Sequence, residues 1–252
     1  MKLLLTGAEG FIGSALSQHL AMFMDVDHFE GDVRNESDWD KYKDTKYEVL
    51  VHLAGLAGVR ESIEMPEIYY DNNVNGTQRA LEFGKSNCHK VLYASSSNIY
   101  EWWSNPYATT KMINEAQAMS YPNAKGMRFH TVWPGRDDML FDMLCNNKVT
   151  YINANHTRDW IHVQDLCSAI WCTIQNWYNI DQTALDYGNG TETKVLELAE
   201  TVFDWKGEIR NENPSGERVH TCADIGWLLE LGWQPHYDIL NVDKETKIAR
   251  YN

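Results

Sequence analysis

A glycine-rich loop near the start of the chain is the feature that most restricts its fold. The loop reads TGAEGFIG over residues 6–13, between the first predicted strand and the first predicted helix. The first glycine permits a tight turn, the second lets the backbone approach a pyrophosphate, and the third lets helix and strand pack closely. The free N–H groups of the helix then face the phosphates. A glycine turn without a ligand fits this spacing poorly, so we predict a dinucleotide site. The loop residues that we expect to contact the dinucleotide are Gly7, Gly10, Phe11, Ile12 and Gly13.

Short apolar segments alternate with amphipathic ones through the first half of the chain. The run Val49-Leu50-Val51 has no polar residue in alternation, which is typical of a strand buried on both faces of a parallel sheet. The predicted strands span residues 2–6, 23–30, 48–53 and 91–94, and the predicted helices span 11–22, 36–43, 66–86 and 106–119. This order predicts an α/β fold with a Rossmann-type, doubly wound parallel sheet.

The second half of the chain has a less regular pattern. After about residue 126, strands are predicted near 127–132 and 183–187, and helices near 163–177 and 193–205. We therefore expect two domains. Residues 1–130 form the dinucleotide-binding domain, and residues 131–252 form a smaller α/β substrate-binding lobe that is interleaved with the end of the sheet. Residues 161–188, approximately, return to the core of the first domain.

Composition excludes several classes of function. The 252 residues carry 22 basic and 36 acidic side chains, a net charge of −14. Nucleic acid and membranes are therefore not expected as partners, because no positive field attracts phosphates and no apolar run reaches the length of a membrane span. Five cysteines without CxxC spacing predict reduced thiols in a cytoplasmic protein. Nine histidines without metal-ligand spacing predict no metal site.

The glycine loop resembles the TGxxGFIG loop of the extended short-chain dehydrogenases/reductases, the NAD-dependent epimerase/dehydratase family. GDVRN at 31–35 is similar to the family's turn whose aspartate contacts the adenine, and HLAG at 52–55 is similar to a strand end that lines the cofactor. YYDNNVNGT at 69–77 closely resembles a stretch of the UDP-glucose 4-epimerases. The further cofactor contacts that the resemblance implies are Asp32, Val33, Leu53, Ala54, Gly55, Asn72, Tyr107 and Lys111.

The choice between NAD and NADP depends on one departure from the family. The second strand usually ends in an Asp or Arg that binds the adenine ribose, but the segment from Leu20 to Gly31 is several dozen residues shorter here. Asp25 and Asp27 are candidates for this role. Arg34, the only nearby base, lies in the adenine turn instead. Since acidic surroundings disfavour the extra phosphate of NADP, we expect NAD as the cofactor.

Ser96, Tyr107 and Lys111 match the Ser–Tyr–Lys arrangement of the family. Tyr107 and Lys111 are four residues apart in a predicted helix and therefore share one face. Free tyrosine has a pKa of about 10, and an adjacent ammonium lowers it by stabilising the phenolate. Ser96 is expected to hydrogen-bond the same substrate hydroxyl, with the adjacent Ser97 as the alternative.

The residues that follow Ser96 reduce the number of reactions that the chain is expected to catalyse. Dehydratases of the family have Asp-Glu and decarboxylases have Glu where this chain has Ser97-Asn98, which supplies no carboxylate. We therefore expect a nucleotide-sugar 4-epimerase that transfers hydride transiently to bound NAD. A nucleotide-sugar 4-keto reductase that consumes NADH or NADPH is the first alternative. A non-catalytic nucleotide-sugar-binding protein is the second.

Two later segments imply a UDP-sugar substrate, either a hexose or a hexuronate. RFHTVW at 128–133 with RDDM at 136–139 resembles the part of UDP-glucuronate 4-epimerases whose Thr and Arg face the sugar carboxylate. TRDWIHVQD at 157–165 resembles a segment whose Arg binds the diphosphate, although a surface ion pair between Arg158 and Asp159 is the alternative. The expected substrate contacts are Ser96, Ser97, Thr131, Arg136 and Arg158.

Two expectations concern surfaces. Trp102 and Trp103 lie in a shortened loop between the catalytic serine and tyrosine, where they either cover the sugar or only pack. The family usually dimerises through two helices, which correspond here to about 66–86 and 106–120. A homodimer is therefore implied.

Overall fold

The chain divides into two compact units. The structure, a computed structural model, describes residues 1–214 and 216–243, and of residues 249–251 the backbone. The first unit comprises Met1–Arg128 and Thr173–Leu185, and the second comprises Phe129–Cys172 and Asp186–Asn252. Of the predicted lobe 131–252, residues 215, 244–248 and 252 lie outside the described part. The assignment of cofactor and substrate to separate domains stays a prediction.

A six-stranded sheet organises the first unit. Its strands are β1 (Lys2–Thr6), β2 (Asp25–His28), β3 (Tyr47–His52), β4 (Cys88–Ser96), β5 (Ala124–Phe129) and β9 (Ala184–Tyr187). They lie side by side in the order β2-β1-β3-β4-β5-β9. The pairs β1–β2, β1–β3 and β3–β4 are parallel. This mostly parallel sheet with flanking helices confirms the predicted α/β fold class.

The helices of the first unit follow its strands. They are α1 (Phe11–Leu20), α2 (Glu36–Trp39), α3 (Val59–Glu64), α4 (Pro66–Tyr70), α5 (Gly76–Asn87) and α6 (Pro106–Ala118). Leu4, Leu50 and Val91 of adjacent strands are fully buried. They share a core with Leu81 and Phe83 of α5. Burial of the apolar strands between helices is what makes the sheet stable.

The long helix predicted for residues 66–86 is interrupted in the structure. A π-helical turn, Asp71–Asn75, separates α4 from α5. The asparagines of this turn have low helix propensity, because their side chains can hydrogen-bond other backbone groups. Asn73 does so with Leu56, to which its amide both donates and accepts. A π-helical turn often occurs at a functional site.

The described residues of the second unit form three small sheets. Its strands are β6 (Thr131–Trp133), β7 (Tyr151–Asn153), β8 (Thr157–His162), β10 (Glu192–Lys194), β11 (Glu208–Arg210), β12 (Tyr237–Val242) and β13 (Ala249–Tyr251). Its helices are α7 (Leu140–Cys145), α9 (Val195–Phe203) and α10 (Gly226–Glu230), while α8 (Val163–Gln175) contributes to both units. Trp133, Trp160 and Leu198 are nearly fully buried and lie in its core. Within the described residues, no helix is both long and apolar enough to cross a membrane.

Candidate active site

The glycine loop contacts the end of a neighbouring strand. Gly7 has a φ of +72°, and a side-chain Cβ there would lie 2.7 Å from the backbone nitrogen of Ala54. A Cβ on Gly13 would lie 1.9 Å from the carbonyl oxygen of Gly7. The backbone at both positions therefore has room only for glycine. α1 begins after Gly10 without a side-chain cap, so its first N–H groups are available to a phosphate.

A cavity of about 460 Å³ opens in the first unit. It is lined by Gly31, Asp32, Val33, Ala54, Gly55 and Asn72. Five of these six residues were predicted from the sequence as cofactor contacts. Two of the three segments follow β2 and β3 and meet because the carboxyl ends of parallel strands share one edge of the sheet, and Asn72 comes from the π-helical turn.

Asp32 is held by Arg34 at this edge. Its carboxylate accepts hydrogen bonds from the Arg34 backbone N–H at 2.9 Å and from the guanidinium Nε at 2.9 Å. Arg34 also pairs with Asp71 of the π-helical turn. The guanidinium lowers the pKa of the Asp32 carboxyl. Two carboxylates thus neutralise Arg34, which leaves it poorly suited to bind the additional phosphate of NADP.

Ser96 ends β4, and a segment of 3₁₀ turns, Ser97–Ser104, follows it. The Ser96 Oγ accepts hydrogen bonds from the backbone N–H of Asn98 at 3.2 Å and from its side-chain Nδ2 at 3.3 Å. The O–H proton of Ser96 is not used in either bond. Ser95 has a different role, because its Oγ donates to Glu115 of α6 at 2.6 Å. Ser96 and Ser97 are both buried, and the choice between them stays a prediction.

Tyr107 and Lys111 occupy the first turns of α6. The side chain of Asn105 caps this helix by accepting from the Ala108 N–H at 2.8 Å. The Lys111 Nζ lies 5.8 Å from the centre of the Tyr107 ring. It donates to the carbonyl oxygen of Ala94 at 2.9 Å. The ammonium and the phenol ring are therefore neighbours, as the four-residue spacing predicts.

Burial controls the charge of Lys111. The side chain is almost entirely buried, and this desolvation lowers its pKa to about 8. Its Nζ would lie 3.5 Å from a Cβ at Gly55, so any larger residue there would crowd the ammonium. Lys111 thus lies against the strand end that also lines the cavity.

A buried chain of hydrogen bonds joins the glycine loop to α5. Thr6 Oγ1 accepts from the Ala54 N–H at 3.1 Å and lies 2.8 Å from His52 Nδ1. His52 Nε2 lies 3.3 Å from Thr77 Oγ1. Burial, together with the charge of Lys111, lowers the pKa of His52 to about 3. The imidazole is therefore neutral at physiological pH, with one nitrogen donating and the other accepting.

The same chain continues to α6. With its amide oxygen towards Thr77, Asn114 accepts from that hydroxyl at 3.0 Å and donates to the carbonyl oxygens of Asn73 and Thr110. Asn73 Nδ2 also donates to Thr110 Oγ1 at 3.1 Å. Sequence reasoning missed His52, Asn73, Thr77 and Asn114 as positioning residues. The first three lie inside quoted motifs, but a motif does not show which side chains face each other.

Thr131 and Arg136, the residues expected at a sugar carboxylate, belong to the second unit. Thr131 begins β6 and is half-buried. The Arg136 guanidinium pairs with Asp138 through Nε at 3.0 Å and Nη2 at 2.9 Å. Its planar fork is therefore already engaged by a carboxylate of its own loop.

Arg158, the residue expected at the diphosphate, lies in β8. Its Nη1 donates to the carbonyl oxygens of Thr157 at 2.7 Å and Val219 at 3.1 Å. Among the described residues its Nε and Nη2 make no hydrogen bond. Burial lowers the pKa of Arg158, although an arginine remains charged. Part of the fork is thus available to an anion.

The possible surface ion pair between Arg158 and Asp159 is not present. Asp159 is completely buried. Its carboxylate accepts from the backbone N–H groups of Asn189, Gly190 and Ala223 at 2.5, 2.9 and 3.0 Å. Burial raises the pKa of this carboxyl, and the three donors oppose that rise. Asp159 therefore holds the backbone of two loops together.

Trp102 and Trp103 are exposed to 43% and 68%. Their rings contact each other edge to face, with centres 6.0 Å apart. The carbonyl oxygen of Trp102 accepts from Thr109 Oγ1 of α6 at 2.8 Å, which fixes the backbone of the loop. The choice between covering the sugar and only packing stays a prediction.

Comparison with known families identifies the fold. The model of the NAD dependent epimerase/dehydratase family matches residues 3–184. The chain belongs to this family. NAD is its cofactor, and the tight glycine loop and the cavity beside it fit a dinucleotide. The matched range includes Ser96, Tyr107 and Lys111.

Individual members of the epimerase/dehydratase family resemble the chain over most of its length. The bifunctional UDP-glucose 4-epimerase and UDP-xylose 4-epimerase 1 of Pisum sativum is 28% identical over 282 aligned positions, which cover 90% of this chain and 79% of the pea protein. Because 282 positions exceed the length of this chain, the pea protein has residues that this chain lacks.

Solved structures share the fold. MoeE5 in complex with UDP-glucose and NAD has a TM-score of 0.80 at 24% identity, and the match covers 95% of both chains. TunA, an NAD-dependent NDP-hexosamine 5,6-dehydratase, has a TM-score of 0.76 at 21% identity over 91% of this chain and 90% of its own. Since a dehydratase also has this fold, the reaction has to be argued from the site.

Proposed function

We propose that the protein is a nucleotide-sugar 4-epimerase that acts on a UDP-hexose. The observation that carries this proposal is the pair Ser97-Asn98 directly after Ser96. The Asn98 amide donates to the Ser96 hydroxyl, where an eliminating enzyme of the family would have a carboxylate. Without that carboxylate the chain has no base at this position for the elimination of water.

Each residue of the catalytic set has a definite task. Tyr107 accepts the proton of the sugar 4-hydroxyl as general base and returns it as general acid. The Lys111 ammonium stabilises the phenolate through its charge, because it lies against the Tyr107 ring in a site of low polarity. Ser96 donates to the 4-oxygen and orients it. NAD, when bound, supplies the hydride acceptor for oxidation and the hydride donor for return.

A neutral hexose is the better substrate than a hexuronate. A hexuronate needs a cation for its carboxylate, and Arg136, the residue expected there, is engaged by Asp138. Arg158 retains part of its fork for a diphosphate, which a hexose and a hexuronate nucleotide share. The names of the relatives support UDP as the nucleotide.

The test is an assay with two substrates. UDP-glucose and UDP-glucuronate are incubated separately with the purified protein, the products are resolved by chromatography, and the absorbance of reduced nicotinamide is followed. We expect UDP-galactose from UDP-glucose, little epimer from UDP-glucuronate, and no net change in the cofactor. Stoichiometric consumption of NADH or NADPH on a 4-keto sugar, with no epimer, would instead identify a reductase. Binding of UDP-glucose without any turnover would identify a binding protein.

We further propose that the protein is a homodimer of the cytoplasm. Exposed apolar side chains lie on α3, α4 and α6, which contact one another, and at the residues that directly follow α3 and α6. They are Ile63, Met65, Ile68, Tyr70, Met112 and Met119. A surface of this kind is typical of an interface between subunits. Light scattering after size-exclusion chromatography tests the dimer.

The cytoplasmic location is supported by the cysteines, because none of the five forms a disulfide bond, as expected in a reducing compartment.

A further inference from the structure

The shortened edge of the sheet places one strand where a dinucleotide fold needs its ribose-binding residue. β2 follows α1 directly and lies parallel to β1, with Leu5 opposite His28. Among the described strands it is the outermost on this side of the sheet. In dinucleotide-binding folds an acidic side chain about 20 residues after the glycine loop binds the ribose 2′-hydroxyl. The acidic residues of this chain in that range are Asp25, Asp27, Glu30 and Asp32.

Asp25 lies at the wrong end of the strand, and the Asp27 carboxylate is already engaged by other residues. Asp25 is opposite Lys2 at the start of β1, whereas ligands bind at the carboxyl ends of the strands. The Asp27 carboxylate accepts from Tyr47 Oη at 2.9 Å and from Lys2 Nζ at 3.1 Å. Both expected candidates therefore belong to an ion-pair cluster away from the glycine loop.

Asp32 is engaged within its own turn. Its carboxylate accepts three bonds from the Arg34 guanidinium in addition to the Arg34 backbone N–H. Its backbone N–H donates to Asp38 at 2.9 Å. A ribose hydroxyl at Asp32 would have to compete with a charged partner, which is the stronger donor.

Glu30 remains, and its position fits the role. The Phe29 N–H still donates to the Leu5 carbonyl at 2.9 Å, so the strand alignment continues to the residue before Glu30. Side chains alternate along a strand, and His28 contacts Ser17 of α1 at 2.7 Å. Continued for two residues beyond the end of β2, this alternation places Glu30 on the same face, towards the N-terminal end of α1 and its phosphate-binding loop.

The surroundings of Glu30 fix its backbone and leave its side chain available. Its N–H donates to Tyr42 Oη at 2.8 Å, and its carbonyl oxygen accepts from Lys41 Nζ at 3.4 Å. In the part of the chain that the structure describes, the Glu30 carboxylate has no hydrogen-bond partner. The next residue, Gly31, has a φ of +135° and lines the cavity.

We propose that Glu30 binds the 2′-hydroxyl of the adenosine ribose of NAD. A single turn, Glu30-Gly31-Asp32, then serves both the ribose and the adenine, which longer members of the family distribute over two strands. The carboxylate accepts a hydrogen bond from the hydroxyl and repels the 2′-phosphate of NADP. This inference rests on the NAD dependence of the family and not on the proposed epimerase reaction.

Binding measurements with an altered cofactor test the proposal. Titration calorimetry compares NAD with its 2′-deoxyadenosine analogue on nucleotide-free protein, for wild type, Glu30→Ala, Glu30→Gln and the control Asp25→Asn. We expect Glu30→Ala to weaken NAD binding about 10- to 100-fold, the range for one charge-assisted hydrogen bond. Binding of the analogue should be equally weak to wild type and to Glu30→Ala. Asp25→Asn, which removes the same charge from the other end of β2, should change neither affinity.

A second comparison keeps the test independent of folding and of activity. Glu30→Gln, which keeps the size of the side chain, should reduce the preference for NAD over NADP while its circular dichroism stays that of wild type. The proposal is overturned if Glu30→Ala binds NAD as tightly as wild type, or if NAD and the analogue lose affinity equally. It is also overturned if Asp32→Asn, rather than a Glu30 variant, shows the loss specific to the 2′-hydroxyl. A failed epimerase assay would leave all these outcomes unchanged.

Discussion

The residues of the sequence motifs make different kinds of contact in the two units. In the first unit, residues from the glycine loop, the GDVRN turn, the HLAG strand end and α6 come together around one cavity and one buried network. In the second unit, the quoted motifs supply Arg136, Arg158 and Asp159, and each of these is bonded to its own unit. The motifs of the first unit thus bring candidate functional side chains together, whereas those of the second unit mostly stabilise its own backbone and loops.

The difference has a topological cause. Parallel strands bring their carboxyl ends, and the loops that follow them, to one edge of the sheet, so side chains distant in sequence converge there. Among the described residues, the second unit has three small sheets with mixed pairing, and buried carboxylates accept hydrogen bonds from its loop backbone. Asp165, for example, accepts from the backbone N–H groups of His236 and Tyr237, both at 2.9 Å. A buried carboxylate that accepts from several backbone N–H groups stabilises loops, because these groups have no hydrogen-bond partner in a neighbouring strand.

The largest effect is expected in the first unit, from Tyr107→Phe. Removal of the hydroxyl abolishes proton transfer, so kcat for UDP-glucose epimerisation should fall at least about 10³-fold. Binding of NAD and of UDP-glucose, measured by calorimetry, should stay within about twofold. Tyr121→Phe, in which a tyrosine hydroxyl bonded to Gln78 is lost, is the matched control and should retain its rate. Near wild-type turnover by Tyr107→Phe would refute the catalytic assignment.

Asp159→Ala should have a large effect of another kind. It leaves three buried N–H groups without an acceptor and should lower the free energy of unfolding by about 4 kcal/mol, measured by urea denaturation. Asp138→Ala, which removes an exposed carboxylate of the same unit, should change it by less than about 0.5 kcal/mol. Equal effects would mean that the second unit does not depend on its buried carboxylate.

Lys111→Met should change how stability depends on pH. The pKa of Lys111 is lowered to about 8 in the folded protein, against the ordinary lysine value of 10.5 that applies to the unfolded chain. Between these values the unfolded chain binds more protons than the native one, so the stability of wild type rises with pH in this window. Relative to Lys111→Met, wild type should gain about 3 kcal/mol between pH 8 and pH 10.5. Lys148→Met, at an exposed lysine, should give no such gain, and a flat difference for Lys111→Met would show that its ammonium is not desolvated.

The smallest effect is expected from Arg136→Gln. Because its guanidinium is engaged by Asp138, the KM for UDP-glucose should change less than about twofold. Arg158→Gln should raise the same KM at least about tenfold, since part of its fork is available to a diphosphate. The reverse order would mean that Arg136, and not Arg158, is the main anion-binding residue of the second unit.

Sequence reasoning was most accurate where periodicity and a motif coincide. β1 spans Lys2–Thr6 as predicted, and α6 begins at Pro106 as expected. The segment 66–86 is helical throughout, as predicted, but the π-helical turn within it was not predicted, because this turn depends on the contacts of Asn73 with Leu56 and Thr110, which are distant in sequence. The three-residue strands of the second unit, such as β7 and β11, carry too few residues for a period to be recognised.

The pairing of side chains is the part of the candidate site that the sequence could not predict. Glycine spacing and the Tyr–Lys spacing, which follow from local geometry, led to the expected cofactor and catalytic segments, and the roles of their residues stay predictions. The sequence did not predict that Asp138 engages Arg136, or that His52 links Thr6 to Thr77. Such pairs depend on the direction of each side chain, which only the folded backbone determines.

The central claim is that hydride leaves C4 of the sugar and returns to the same carbon within one active site. The most direct measurement uses UDP-glucose that carries deuterium at C4, with the product analysed by mass spectrometry and proton NMR. The account predicts UDP-galactose that retains the deuterium at C4, with no accumulation of reduced cofactor. Loss of the deuterium to solvent, or its transfer to added free NAD without formation of UDP-galactose, would contradict it.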